Sequence, residues 1–198
     1  SGEVKPSMPF YDECAFASLP IKDGVEIFIL NPDNPMNVFA VPKESVVDLY
    51  QDLEVLSAEM NEYCNSLSTT YYEPQEGEIC MARFSSDNLW YRAACIYQNK
   101  DSASVVFVDY GNQEEVSFKN ICQMVDKFLA VPLIALHCRI KDFTPEEVFA
   151  GGSKLIEKFK ALLPPNSSHI VNVVEKCDVS HVYVLEIPSL DMEGLKKG

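Results

Sequence analysis

Arginine is scarce in this sequence: Arg83, Arg92 and Arg139 are the three in 198 residues. Lysine and arginine together number 16 against 30 acids, which gives a net charge of −14. Nucleic-acid affinity rests largely on Lys and Arg displacing counterions from phosphates, so this balance argues against a general phosphate-binding surface and favours cationic partners. The seven cysteines are odd in number, widely spaced and include no CxxC pair. Structural zinc usually needs close thiolate pairs and a secreted framework an even count, so buried reduced thiols are expected instead. No apolar stretch approaches the roughly 20 residues needed to cross a bilayer, and the first residues lack a basic start followed by an apolar run. Neither a membrane span nor a secretory leader is expected, and the setting read from this is cytoplasmic. There the sequon Asn166-Ser167-Ser168 would go unused.

What is present describes a folded protein. Apolar residues make up 47% of the chain, enough for one sizeable core or two small ones. The segments 25–30 and 36–41 read as two strands joined by a turn at Asn31-Pro32-Asp33-Asn34-Pro35. From Glu44 to about Leu67, Leu49, Leu53, Leu56, Met60 and Tyr63 recur every three or four residues among carboxylates, which predicts a long helix. Short strands follow at 79–84, 89–97, 104–109 and 114–118, with turn signals about every ten residues, as in a small barrel. A strand at 133–140, an amphipathic helix at 152–163 ended by Pro164-Pro165, and strands at 169–176 and 181–187 complete the chain. A hairpin cannot bury its face alone, so the first and last segments are expected to share one core, with the middle inserted between them. Acidity is concentrated at the front: residues 1–71 hold 12 acids and 3 bases, on a solvated helix face or as a steering field for a basic ligand.

The most informative stretch runs from Phe84 through Trp90-Tyr91-Arg92-Ala93 to Phe107-Val108-Asp109-Tyr110-Gly111-Asn112. Aromatics crowd the ends of neighbouring strands here, as barrel core or as the walls of a site. Phe107 and Tyr110 should face opposite sides of an ideal strand, and meet only if the turn at Gly111 bends the backbone. These residues resemble the signature of the Tudor domain, and the flanking elements resemble the extended Tudor arrangement of germline multi-Tudor scaffolds. That resemblance implies a mainly β fold with helices (α+β), in which a Tudor-like small β-barrel is inserted by a long linker helix into a split staphylococcal-nuclease-like OB fold. The implied parts are residues 1–42 and 131–198 for the OB domain, 43–67 for the linker helix and 68–130 for the Tudor barrel.

The resemblance also implies a methylarginine cage made of Phe84, Tyr91, Phe107 and Tyr110, with Asn112 as its polar member. Arg92 and Asp109 fall on positions that pair inside the fold and support it, and Trp90 falls in the core. Asn88 stands in a turn where relatives carry Gly, a left-handed position that Asn tolerates. Nuclease chemistry is not expected, since it needs clustered carboxylates and arginines and Arg139 is the one arginine in the flanks. His137 and Cys138, as strand neighbours, face opposite sides and do not make a nucleophile pair. No catalytic residue, metal or cofactor is therefore expected. The implied role is a non-enzymatic reader of symmetrically dimethylated arginine in the Arg-Gly or Arg-Ala tail of a PIWI protein, in cytoplasmic germ-cell ribonucleoprotein granules of the piRNA pathway. The peptide would lie between barrel and OB lobe, with Glu114 and Glu115 attracting neighbouring arginines. Alternatives are an RNA-binding OB/Tudor module, using Lys154, Lys158 and Lys160, or a spacer repeat without methylarginine binding. Direct contact with nucleic acid or membrane is not expected.

Overall fold

A computed structural model describes residues 5–197, so the outermost residues of the expected parts, 1–4 and 198, lie outside it. The described chain divides into two compact units: residues 5–16 with 48–134, and residues 17–47 with 135–197.

The split unit is a closed five-stranded barrel. Strand β1 (Val25–Asn34) and β2 (Asn37–Pro42) form the predicted hairpin, with a tighter turn than expected. Asn31, Pro32 and Asn34 stay in register with β2 across two irregularities, and the Asn34 side chain caps the turn by accepting the Met36 N–H at 2.8 Å. Helix α1 (Val46–Ser66) leaves this unit. The other unit contributes β3 (Ile79–Arg83), β4 (Trp90–Gln98), β5 (Ser102–Phe107), β6 (Gln113–Ser117) and β7 (Ile121–Gln123). The chain then returns with β8 (Leu136–Ile140), α2 (Pro145–Leu162), β9 (Ser168–Lys176), β10 (Tyr183–Glu186) and the short α3 (Met192–Lys196). The barrel order is β1-β2-β8-β10-β9, antiparallel throughout except for β8 and β10. Alternate residues fill it, among them Ile27, Ile29, Val38, Ala40, Cys138, Ile140, Val171 and Leu185.

Helix α2 starts seven residues before the predicted 152, at a Thr144 capping box with Glu147 and a Pro at the first turn. The apolar period is interrupted at Gly151-Gly152, where Gly152 adopts φ 57°, ψ −153° inside the helix. L side chains scarcely enter that region, so Gly152→Ala is expected to cost about 1–3 kcal/mol. A melt followed by far-UV circular dichroism checks this, and an unchanged midpoint contradicts it.

The unit of residues 5–16 and 48–134 is a five-stranded sheet ordered β6-β5-β4-β3-β7. The fifth strand, β7, is not legible in the sequence, because three residues are too few to show a period. The inward residues Cys80, Ala82, Ala93, Cys95, Val105, Phe107, Val116 and Ile121 converge on one core from all five strands, so the sheet curls around a shared interior. Helix α1 packs here through Leu53, Leu56, Met60 and Cys64. It is also tied to β4 by polar clamps. The Asn61 amide both donates to the Trp90 carbonyl at 3.0 Å and accepts its N–H at 2.7 Å, and Asn65 accepts the Trp90 indole N–H at 3.1 Å.

Two expectations need correction. Residues 5–16 belong with the five-stranded sheet rather than with the split barrel: Pro6 bridges Val125, Phe10 bridges Glu78, and the Ile79 N–H donates to the Pro9 carbonyl at 2.8 Å. A Pro-rich extended segment has no period of its own, and its backbone pairing decides where it goes. The thiols are not all buried either; five are, while Cys14 is half-buried and Cys177 exposed in the β9–β10 turn.

Candidate functional site

Two turns of the five-stranded sheet build the site. Between β3 and β4, Phe84 N–H donates to the Leu89 carbonyl and Asn88 N–H to the Phe84 carbonyl, both at 2.8 Å. Asn88 has φ 59°, the left-handed geometry that the sequence required of it. Between β5 and β6, the Gly111 N–H donates to the Phe107 carbonyl at 2.7 Å, and the Phe107 N–H to the Asn112 carbonyl at 2.9 Å. Gly111, at φ 88°, makes that reversal possible. The backbone therefore bends immediately after β5, which removes the parity conflict between Phe107 and Tyr110.

The consequence is a hollow of about 260 Å³ lined by Phe84, Asp87, Tyr91, Phe107, Tyr110 and Asn112. Phe84 stacks on Phe107 at 5.3 Å between centroids and 22° between planes, while Tyr91 stands nearly perpendicular to Phe107 at 6.0 Å and to Tyr110 at 5.6 Å. Phe107 is 1% exposed and belongs to the core, so it forms the floor; Tyr110, at 38%, forms the rim. The Asn112 side chain makes no hydrogen bond among the described residues. The five residues named from the sequence thus meet around one space. Asp87 is a sixth, which its turn position disguised.

The support lies directly behind. Arg92 and Asp109 are buried together, with guanidinium Nε and Nη2 donating to the two carboxylate oxygens at 2.9 and 2.6 Å. The remaining guanidinium N–H groups donate to the Phe128, Val131 and Pro132 carbonyls, and the Ile134 N–H donates to Asp109. From α1, Tyr50 donates its hydroxyl to the Asp109 carbonyl at 2.6 Å and stacks on Tyr110 at 5.6 Å and 24°. Sequence reasoning missed Tyr50 because it reads as one more apolar-face residue of the helix. Burial pushes the phenols of Tyr50, Tyr91 and Tyr110 up, assisted at Tyr91 by its bond to Asp87 and at Tyr110 by the charge of Asp109. The walls are consequently neutral rings at physiological pH. Trp90 is 2% exposed and lies in the core.

The other sequence candidates lie elsewhere. Glu114 accepts the Ser85 N–H at 3.4 Å and Glu115 the Ser102 hydroxyl at 2.7 Å, so both are engaged by the sheet's own turns and strands. Lys154, Lys158 and Lys160 are exposed on α2. His137 stacks on Phe39 at 5.2 Å, and burial lowers its basicity. Among the described residues, no group of three or more His, Cys, Asp or Glu side chains is placed to hold a metal ion, and no helix is long and apolar enough to cross a membrane.

Residues 19–142 match the Tudor domain family. Human Tudor domain-containing protein 1 is 31% identical over 147 residues, 68% of this chain and 12% of that protein. Zebrafish (Danio rerio) Tudor domain-containing 6 is 28% identical over 171 residues, 85% of this chain and 8% of that protein. The chain thus spans about a tenth of the length of such relatives. Among solved structures, the human TDRD1 extended Tudor domain in complex with a symmetrically dimethylated peptide superposes with a TM-score of 0.68 at 27% identity, covering 88% of this chain and 83% of that one. The extended Tudor domain TD3 of mouse TDRD1, in complex with a MILI peptide containing dimethylarginine, gives 0.69 at 22% identity over 88% and 87%. With a family match over more than half of its length and this shared fold, the chain belongs to the Tudor domain family.

Proposed function

We propose that this chain is a non-enzymatic reader of symmetrically dimethylated arginine. The observation that carries the reading is the hollow walled by four aromatic rings and edged by the Asn112 amide. Each ring offers a negative face to a cation, worth about 0.5–2 kcal/mol depending on desolvation. Dimethylation keeps the guanidinium charge and removes N–H donors that would otherwise demand water or carboxylates. A methylated guanidinium therefore enters an aromatic slot at smaller cost than plain arginine. The side-chain amide oxygen of Asn112 can accept a remaining guanidinium N–H, which trimethyllysine does not possess.

The human TDRD1 domain bound to a symmetrically dimethylated peptide supports the ligand class, and the mouse TD3–MILI complex supports a PIWI-type protein as the partner, in which we infer an Arg-Gly or Arg-Ala tail. The setting that goes with this partner is the cytoplasmic germ granule and the piRNA pathway. The structural division proposed with it is an OB-like split barrel carrying the reader sheet. One caged cation yields few kcal/mol after ordering costs, so the expected Kd is about micromolar, with avidity supplied by several modified arginines or several repeats.

Calorimetric titration with one Arg-Gly peptide in four forms tests this: unmodified, asymmetrically dimethylated, symmetrically dimethylated, and with trimethyllysine in place of the arginine. The symmetric form is expected to bind most tightly. Equal binding of all four, or of none, sinks the reading.

A further inference from the structure

Aromatic walls and the Asn112 amide account for five of the six lining residues and leave Asp87 without a task. Its carboxylate is held from two sides: one oxygen accepts the Leu89 N–H at 2.9 Å and the other the Tyr91 hydroxyl. A carboxylate offers about four acceptor positions, so two bonds leave each oxygen able to accept again. Asp87 forms no ion pair among the described residues. Arg83, four positions away, spends its Nε–H on the Asn88 carbonyl at 3.1 Å instead. An exposed aspartate that only closed a turn would not need to line the hollow, yet Asp87 does, and its charge is among the causes that push up the phenols of both Tyr91 and Tyr110. The negative field it creates therefore reaches two walls of the space. Rings alone attract any soft cation. A carboxylate adds a full charge and a directional acceptor.

We propose that Asp87 is an affinity-determining residue of the hollow: its carboxylate, fixed by the Leu89 N–H and the Tyr91 hydroxyl, accepts an N–H of a bound guanidinium and strengthens its binding by charge. The inference rests on the methylarginine reading and adds a charged acceptor to the cage. A turn-closing role alone would be preserved by asparagine, which keeps an acceptor oxygen in the same place and removes the charge.

The test uses the whole chain and a symmetrically dimethylated Arg-Gly peptide, titrated at about 0.05 M and about 0.5 M salt, where screening lengths differ several-fold. Asp87→Asn is expected to weaken binding about tenfold at low salt, the difference between a charge-assisted and a neutral hydrogen bond. The gap between wild type and variant should narrow at high salt, with the melting midpoint unmoved. Asp87→Glu, which keeps the charge, is expected to lose less affinity than Asp87→Asn. Wild-type affinity in Asp87→Asn overturns the proposal and leaves the cage reading standing. So does a loss that is independent of salt, or an equal loss in Asp87→Glu, since Asp87 would then merely hold the turn or the Tyr91 ring. Absence of binding by the wild type overturns the cage reading itself.

Discussion

Tyr110→Ala is expected to remove most peptide binding while lowering the melting midpoint by only a few degrees. The ring forms the rim of the hollow, so its loss opens one wall to water, and the remaining contacts act in a wetter and more polar space. The stability cost comes from two ring contacts, with Tyr50 and Tyr91, each at 5.6 Å. Such pairs are worth about 0.5–1.5 kcal/mol, and a chain of this size loses about 2–4 °C per kcal/mol. Asn112→Ala makes the complementary case. Its side chain has no partner among the described residues, so the midpoint should stay in place while methylarginine affinity falls. Calorimetry and a thermal melt on the same samples check both. A collapse in stability with Tyr110→Ala would place that ring in the core, and retained affinity would place the ligand elsewhere.

How far the sequence reached depends on the kind of interaction involved. Strand and helix existence followed from apolar spacing and turn residues, because those patterns are local: β3 to β6 and α1 lie within two residues of their predicted bounds. The site was legible to the same extent. Aromatics flanking two turn sequences, with Asn88 and Gly111 at positions that need positive φ, implied that both turns reverse sharply enough to gather the rings, as they do. What escaped was decided by contacts between segments distant in sequence. Residues 5–16 carry no period and take their place from backbone bonds to Met124 and Gly77. Asn61 and Asn65 look like the wet face of a helix, yet they clamp Trp90. Asp87 looks like a turn residue, and its line into the hollow depends on Tyr91. Helix α2 was cut short by a different failure: the Thr144-Pro145-Glu146-Glu147 start signal was available, but the two glycines that follow broke the period used to find the helix.

Arg92→Met is expected to be the most damaging single change in the unit that carries the five-stranded sheet. Arg92 is 1% exposed and Asp109 2%, and the guanidinium directs its N–H groups to one carboxylate and three backbone carbonyls. Methionine fills most of the volume and supplies none of the donors, leaving an uncompensated charge at Asp109. Removing one partner of a buried pair costs about 3–5 kcal/mol, so the midpoint should fall by roughly 10 °C. Trp90 makes the measurement selective, because it is the one tryptophan of the chain, is buried in this unit and lies two positions before Arg92 on β4. Its fluorescence therefore follows the unfolding of the sheet that carries the site. The double variant Arg92→Met with Asp109→Leu should recover part of the loss, since no charge is then stranded, although the three carbonyls remain short of donors. Both variants should also weaken binding, as Asp109 anchors the turn that presents Tyr110 and accepts the Tyr50 hydroxyl at its carbonyl. A Trp90 transition in Arg92→Met that coincides with wild type would show the pair to be dispensable, and a double variant less stable than the single would show that the stranded charge is not the source of the damage.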